Sequence, residues 1–125
     1  MLGIYAMGGS EKLLRDGYKN DGEYQRPIGK SPMQITQYNF VDHLGDTRYY
    51  QAYLVFFTDQ LLTKGVDKTL EEYLYSERAN FNGRNASRQP EMFARFMSGL
   101  VHPLIHVGHG LEFGLLGVLA EGTPF

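Results

Sequence analysis

Three of the four histidines lie within eight consecutive positions, in a segment that ends with a carboxylate. His102, His106 and His109 recur at intervals of four and three residues, and Glu112 follows three residues later. On a helix these imidazoles would lie within roughly 60° of one another, with the carboxylate at the flank of the stripe. Neutral imidazoles are common metal ligands and natural acid–base groups near neutral pH. The spacing therefore indicates a polar stripe on an otherwise apolar helix.

Two interpretations of this stripe remain open. In the first, His102 and His106 ligate one metal ion, with His109 and Glu112 beside them as the catalytic candidates. One such pair supplies only two ligands, and no H-E-x-x-H motif is present. In the second, His102 donates to a carbonyl that a kink at Pro103 exposes, and the other histidines bond to neighbouring helices.

The elements that must position these residues are helical, because apolar residues recur at helical spacing along nearly the whole chain. Ser10 suits the cap of a helix extending to about Lys19, and residues 38–44 predict a short helix. Polar stretches at residues 20–32 and 80–89 predict loops. No strand, hairpin or repeat pattern is found. We predict an all-α fold, a multi-helix bundle that forms an incomplete part of a larger helical domain.

The longest predicted helix follows a cap at Asp46 or Thr47 and ends at Gly65. Asp67 can cap the next helix, and Pro90 fits the first turn of a later one. Their apolar faces are predicted to be Tyr50, Leu54, Phe57 and Leu61 in the long helix, and Phe93, Phe96, Met97, Leu100 and Leu104 in the later one.

Pro103 is predicted to kink or restart that later helix. It cannot donate an N–H to the carbonyl of Gly99 and also crowds it. Beyond the break, an apolar face is predicted to continue through Leu111, Leu115, Val118 and Leu119. Three glycines are predicted to allow a neighbouring helix to approach closely, namely Gly110, Gly114 and Gly117.

Composition limits the class of protein. The 125 residues fit one domain, and a hydrophobic content of 42% is ample for a core. A net charge of −2 gives no reason to expect nucleic acid or an anionic membrane as partner, and the absence of cysteine excludes disulfides and thiolate zinc sites. Residues 100–120 are apolar but too often interrupted for a transmembrane span. We expect a soluble cytoplasmic protein. From the residues at the two ends of the chain, we predict that residues 1–125 are a single helical domain fragment.

Aromatic residues of the long helix are candidates for substrate binding. Tyr50, Tyr53 and Phe57 are able to line a pocket for a planar aromatic ligand, although such a stripe is more often simple core. Arg26, beside the rigid Pro27 at the end of a polar loop, is a further candidate for substrate binding. The alternative interpretation is that Arg26 is a surface residue in a turn.

Several segments, taken in order, resemble the questin oxidase-like family of fungal and bacterial oxidoreductases. The strongest is H-P-L-I-H-V-G-H-G-L-E-F at residues 102–113, followed by Ala120-Glu121-Gly122, which is similar to the family run H-P-L-I-H-x-G-x-G-x-E-F with a later A-E. Residues 1–7 resemble the segment L-L-x-x-Y-A-L-G, and residues 24–27 resemble Y-Q-R-P. Residues 44–57 resemble L-G followed by a Y-x-x-Y/F-L-x-F-F helix.

The resemblance implies a large helical oxidoreductase, several times longer than this chain, that opens an anthraquinone ring by Baeyer–Villiger chemistry with molecular oxygen and NADPH. No flavin fingerprint is present, which favours a histidine-ligated metal such as iron. The family often has an aromatic residue where His109 stands, and histidines upstream of the first matching segment, so a complete site needs residues beyond this chain. The alternatives are a non-catalytic helical module with structural histidines and a truncated gene product.

Overall fold

Every regular element that the structure describes is helical. The structure, a computed structural model, describes residues 1–81 and 89–123, and those residues contain no strand, so the all-α prediction is confirmed. Part of the predicted loop at 80–89 lies outside the described residues. The helices are α1 (Leu2–Ala6), α2 (Glu11–Gly22), α3 (Tyr50–Lys64), α4 (Val66–Leu70), α5 (Glu77–Asn80), α6 (Met92–Phe96), α7 (His102–Phe113) and α8 (Leu116–Glu121), with 3₁₀ turns at Thr47–Tyr49 and Gly99–Val101 and a π turn at Glu71–Tyr75.

Helix α2 begins where the sequence predicted. The hydroxyl of Ser10 accepts a hydrogen bond from the N–H of Leu13 at 3.3 Å, which satisfies one of the free donors of the first turn. The helix continues past Lys19 to Gly22, so the predicted loop begins later than expected. Along the described chain, no helix combines the length and apolar character that crossing a bilayer requires.

The predicted short helix at 38–44 is wrong, because residues 37–45 form consecutive turns. The side chain of Asn39 accepts hydrogen bonds from the N–H and the hydroxyl of Thr36, and its amide donates to the carbonyl of Gln34. These local bonds compete with the helical hydrogen-bond pattern and hold the backbone in turns.

The end of α3 agrees with the sequence, whereas the starts of α3, at Tyr50, and of α4, at Val66, differ from the prediction. Asp46 accepts the N–H of Arg48 at 3.1 Å and caps the 3₁₀ turn that leads into α3. Gly65, with a φ of 81°, ends α3 and is also the residue before α4. Asp67 therefore lies inside the first turn of α4 rather than at its cap, where its charge still suits the positive end of the helix.

The core is built mainly from aromatic rings on α3 and on the turns that pack against it. Phe40, Tyr53, Phe57 and Tyr73 are at most 2% exposed. The ring of Tyr73 contacts Phe40, Phe56 and Phe57 edge to face, with centroids 5.1 to 5.6 Å apart. Edge-to-face pairs add about 0.5–1.5 kcal/mol each to the free energy of burial. This cluster fixes α3, on which the C-terminal helices rest.

The later apolar face was predicted wrongly, because the chain breaks twice along it. Helix α6 starts after Pro90 and Glu91, whose φ is 51°, and ends at Phe96. Phe96 is the one buried residue of that predicted face, and Leu100 is 86% exposed. The left-handed turn at Gly99–Val101 redirects the chain, so residues on either side of it no longer share a face.

Helices α7 and α8 form a tight antiparallel hairpin. Gly114, with a φ of 65°, ends α7 and reverses the chain, so the apolar residues before and after it do not form one continuous face. A Cβ on Gly110 would lie 2.5 Å from Cγ of Leu119, which confirms the close approach predicted there. Gly117 has open space around it, so its predicted role in packing is wrong within the described residues.

Candidate functional site

The segment that carries the histidines begins with strained backbone. Gly99, Leu100 and Val101 have φ values of 57°, 58° and 56°. Glycine adopts this left-handed region freely, whereas leucine and β-branched valine each lose about 1–2 kcal/mol there. Strain of this kind persists where the surrounding structure requires it, and such positions cluster at functional sites. Helix α7 starts at the next residue, His102, and carries Pro103 in its first turn.

The ring of His102 is fixed by that turn. Its Nδ1 lies within hydrogen-bonding distance of the carbonyl oxygen of Gly99, and the backbone N–H of His102 bonds to the same oxygen. The sequence interpretation in which His102 donates to a carbonyl near Pro103 describes this contact. The contact uses only one of the two ring nitrogens.

His106 lies one turn further along α7, next to His102. The two ring centroids are 6.5 Å apart and the ring planes are tilted by 50°. His102 is exposed and His106 is half-buried, and the latter ring makes no hydrogen bond within residues 1–81 and 89–123. Two imidazoles on one ion, with N–metal distances near 2.0–2.1 Å, would have centroids about 5 Å apart. The observed centroid separation is therefore about 1.5 Å longer than that of two imidazoles bound to one ion.

The other two members of the predicted stripe do not join this pair. His109 is half-buried and packs edge to face on Phe113 with centroids 6.2 Å apart, and Phe113 in turn contacts Tyr5 of α1. Glu112 is exposed. Among the residues that the structure describes, no three side chains of His, Cys, Asp or Glu converge on a common point. The described residues thus bring two candidate metal ligands, His102 and His106, next to each other.

Helix α8 holds the first turn of α7 in place. A Cβ on Gly122 would lie 2.7 Å from the carbonyl oxygen of Pro103 and 2.8 Å from the backbone nitrogen of Val107. Only a glycine permits this approach. Because Pro103 follows His102 directly, the packing at Gly122 sets the position of the histidine pair relative to α8.

A hydrogen bond between Tyr50 and Glu121 joins the same end of α8 to α3. The hydroxyl of Tyr50 donates to Oε1 of Glu121 at 2.8 Å. Partial burial, and then the hydrogen bond to Glu121, raises the pKa of Tyr50 to about 12. Glu121 precedes Gly122, so this bond lies close to the contact between α8 and Pro103.

The remaining substrate-binding candidates lie elsewhere. Tyr53 and Phe57 are fully buried in the aromatic core, and the hydroxyl of Tyr53 donates to the carbonyl of Phe40 at 2.5 Å. Burial is the main cause that raises the pKa of Tyr53. Arg26 is exposed in the segment that follows α2. Of the four candidates, Tyr50 alone lies near the start of α7.

An open groove runs along another side of α3. It encloses about 600 Å³ between the segment 31–35 and the helix, and its floor includes Val55 and Phe56, with Gln51 and Asp59 at the edge. Its described lining contains no histidine.

Comparison with known proteins decides the family. The family model described as questin oxidase-like matches residues 1–123, which is almost the whole chain. The chain belongs to the questin oxidase-like family. No solved structure matches it significantly.

Several curated relatives carry oxidase names. The chain is 30% identical to a questin oxidase of Aspergillus terreus over 97% of its own length and 26% of the relative. It is 33% identical to a questin oxidase of Aspergillus fumigatus, covering 98% of the chain and 27% of the relative. It is 29% identical to the Baeyer-Villiger oxidase AgnL3 of Paecilomyces divaricatus, covering 97% of the chain and 26% of the relative. The chain spans about a quarter of the length of these relatives.

Two features of this questin oxidase-like chain were not assigned a role from the sequence. Glu121 was part of the Ala120-Glu121-Gly122 segment, but nothing in its spacing linked it to Tyr50, 71 positions earlier. The left-handed turn was anticipated only as a kink or restart of the helix at Pro103. A leucine and a valine at positive φ have no signal in the sequence.

Proposed function

We propose that this chain is part of an oxygen-dependent oxidoreductase that opens one ring of a polycyclic aromatic metabolite, such as an anthraquinone. Family membership and the relatives named questin oxidase and Baeyer-Villiger oxidase support this reaction class. In such a reaction one atom of molecular oxygen enters between a carbonyl carbon and its neighbour to give a lactone, and the other atom leaves as water. The two electrons needed for that water come from NADPH. Hydrolysis of the acyl C–O bond of that lactone by water then opens the ring.

The observation that carries the proposal for this chain is the histidine pair. His102 and His106 present adjacent rings with nitrogens that no described residue engages, apart from the bond of His102 to Gly99. His102 is exposed and His106 is half-buried, and two histidines four residues apart on one helix can bind a single metal ion. The bond from Tyr50 to Glu121 joins α3 to the end of α8, which packs against Pro103 through Gly122.

The fit of the implied cofactors differs. Two imidazoles suit an iron ion, which would activate molecular oxygen, but they make only half of a site within the described residues. For NADPH, residues 1–81 and 89–123 contain no strand followed by a glycine-rich turn of the kind that cradles a pyrophosphate. We therefore assign the chain a role at the reaction centre and assign it no step that involves NADPH.

The test is ring opening of an anthraquinone with NADPH and isotopically labelled oxygen, followed by mass spectrometry of the product. His102→Ala and His106→Ala should each lower the rate by about a hundredfold, as expected for groups at a reaction centre. His43→Ala is the matched control, because that ring stacks on Tyr49 with centroids 3.9 Å apart and lies in a different segment. The assay uses a full-length questin oxidase-like protein that carries this chain, and equal rates in all three variants, or no labelled product from that protein without substitutions, would contradict the proposal.

A second candidate is a helical module without catalysis, in which the histidines serve the backbone. The contact between His102 and the Gly99 carbonyl favours it. On this proposal His102→Ala lowers the free energy of unfolding, and His106→Ala, which breaks no described hydrogen bond, leaves stability and every activity of the longer protein unchanged.

A further inference from the structure

The carbonyl of Gly99 accepts two bonds from a single residue. The backbone N–H of His102 donates to it, and Nδ1 of the same residue lies against it. A carbonyl oxygen has no proton to give, so Nδ1 must carry one. The next residue is Pro103, which has no N–H to compete for this oxygen.

This contact determines which nitrogen of His102 is available. A neutral imidazole holds one proton, so with Nδ1 protonated the lone pair is on Nε2. Within residues 1–81 and 89–123, Nε2 of His102 has no hydrogen-bond partner. The His102 side chain belongs to a residue that is exposed to solvent.

We propose that the Gly99 carbonyl is a positioning group that holds His102 in the Nδ1–H tautomer, so that Nε2 is the nitrogen with which His102, the neighbour of His106 on α7, binds a transition-metal cation. This rests on the proposed function and specifies the binding atom and the class of ligand. A backbone carbonyl behind one ring nitrogen is the usual way in which a metal-binding imidazole is oriented.

The left-handed turn explains why this carbonyl is within reach. In a regular α-helix the carbonyl of Gly99 would point along the axis toward residue 103. The positive φ values of Gly99, Leu100 and Val101 redirect it to the ring of His102. The strained leucine and valine are thus part of the device that orients the ring.

The tautomer is measurable without any ligand. Nitrogen-15 NMR of the histidine rings at about pH 9, where imidazoles are neutral, separates a protonated nitrogen from a bare one. His102 should show a protonated Nδ1 and an unprotonated Nε2, whereas His106, with no described partner, should populate both forms. A protonated Nε2 on His102, or an equal mixture, would overturn the inference.

The role of the turn is tested by a matched pair of glycine variants. Gly99→Ala places a side chain at a φ of 57°, and Gly108→Ala places one in the middle of α7, where nothing lies within 4 Å. Cobalt(II) binding should weaken about tenfold in Gly99→Ala, the loss expected when an orienting partner is removed. It should not change in Gly108→Ala. Equal affinity in both folded variants would overturn the positioning role.

The outcomes separate this inference from the proposed function. Cobalt(II) bound through Nδ1 of His102 would overturn the inference and leave the metal site standing. If Nδ1 of His102 is protonated but the chain binds no cobalt(II), the proposed metal site is contradicted, and so is metal binding by Nε2. The assignment of the Nδ1–H tautomer would still hold in that case. Should Gly99→Ala fail to melt cooperatively, the ring tautomer of the unmodified chain still decides the question.

Discussion

The hydroxyl of Tyr50 donates to Oε1 of Glu121 at 2.8 Å, a bond between residues 71 positions apart. It joins the first residue of α3 to the last residue of α8. Helix α3 is anchored in the aromatic core, and α8 packs against the first turn of α7 through Gly122. The position of the histidine pair therefore depends on contacts that extend back to the core.

Removing this bond should destabilise the protein slightly. Tyr50→Phe is expected to lower the free energy of unfolding by about 0.5 kcal/mol, toward the low end for a hydrogen bond because Glu121 is exposed. Urea denaturation measures the change. Tyr24→Phe is the control, since Tyr24 is 87% exposed and should lose nothing. An equal effect of both substitutions would show that the bond contributes no stability.

The same tyrosine should make stability fall at alkaline pH. The pKa of Tyr50 rises from 10.0 to about 12 on folding, so the folded chain holds the proton more tightly than the unfolded chain. This contribution is complete below about pH 10 and is lost as the pH rises toward about 12. Tyr53 and Tyr73 also have raised pKa values, so Tyr50→Phe should reduce the alkaline slope without abolishing it.

Urea midpoints measured from about pH 9 to about pH 12 provide the check. The unmodified chain should lose more stability over this range than Tyr50→Phe does. Identical slopes would mean that Tyr50 titrates alike in the folded and unfolded chains.

Close packing between α7 and α8 predicts opposite effects for two glycines on one helix. Gly110→Ala would place a Cβ 2.5 Å from Cγ and 2.7 Å from the backbone nitrogen of Leu119, and backbone cannot move aside cheaply. The free energy of unfolding should fall by about 1–3 kcal/mol. Gly108→Ala meets nothing within 4 Å and should raise it by about 0.5–1 kcal/mol, since alanine favours the helix.

Thermal and urea denaturation of the two variants compare these effects directly. A stabilised Gly110→Ala would show that α8 does not lie against α7 at the observed distance. Because both substitutions are in α7, the difference in helix propensity cancels in the comparison.

The sequence predicted local features well and long-range ones poorly. The cap at Ser10 and the stop at Gly65 depend on neighbouring residues, so pattern alone identified them. The turns around Asn39 arise from side-chain hydrogen bonds that compete with a helix and leave no periodic signal. The stripe Tyr50, Leu54, Phe57 and Leu61 gave the helix correctly, but periodicity could not distinguish Tyr50, which meets Glu121, from Phe57, which is sealed in the core.

The candidate site follows the same rule. Spacing on one helix predicted that His102 and His106 would be neighbours, because a helix brings residues four apart together. It also placed His109 on the same stripe, but that ring packs on Phe113 of the same helix, and Phe113 in turn contacts Tyr5, which belongs to another part of the sequence. The tilt of α7 relative to α8 depends on Gly110 and Gly122, and their contacts exist only after folding.

Iron binding should require both members of the histidine pair. Anaerobic titration with iron(II) should give one weak site, and His102→Ala and His106→Ala should each weaken it by roughly tenfold or more, because two ligands on one helix are the only converging donors described. His109→Ala should bind as the unmodified chain does, since that ring packs on Phe113 and is the closest matched control on α7. Equal loss in all three variants would point to general damage to the helix, and unchanged affinity in His102→Ala or His106→Ala would remove these residues from the list of ligands. Isothermal titration calorimetry gives the affinities, and circular dichroism of each variant checks that α7 is still formed.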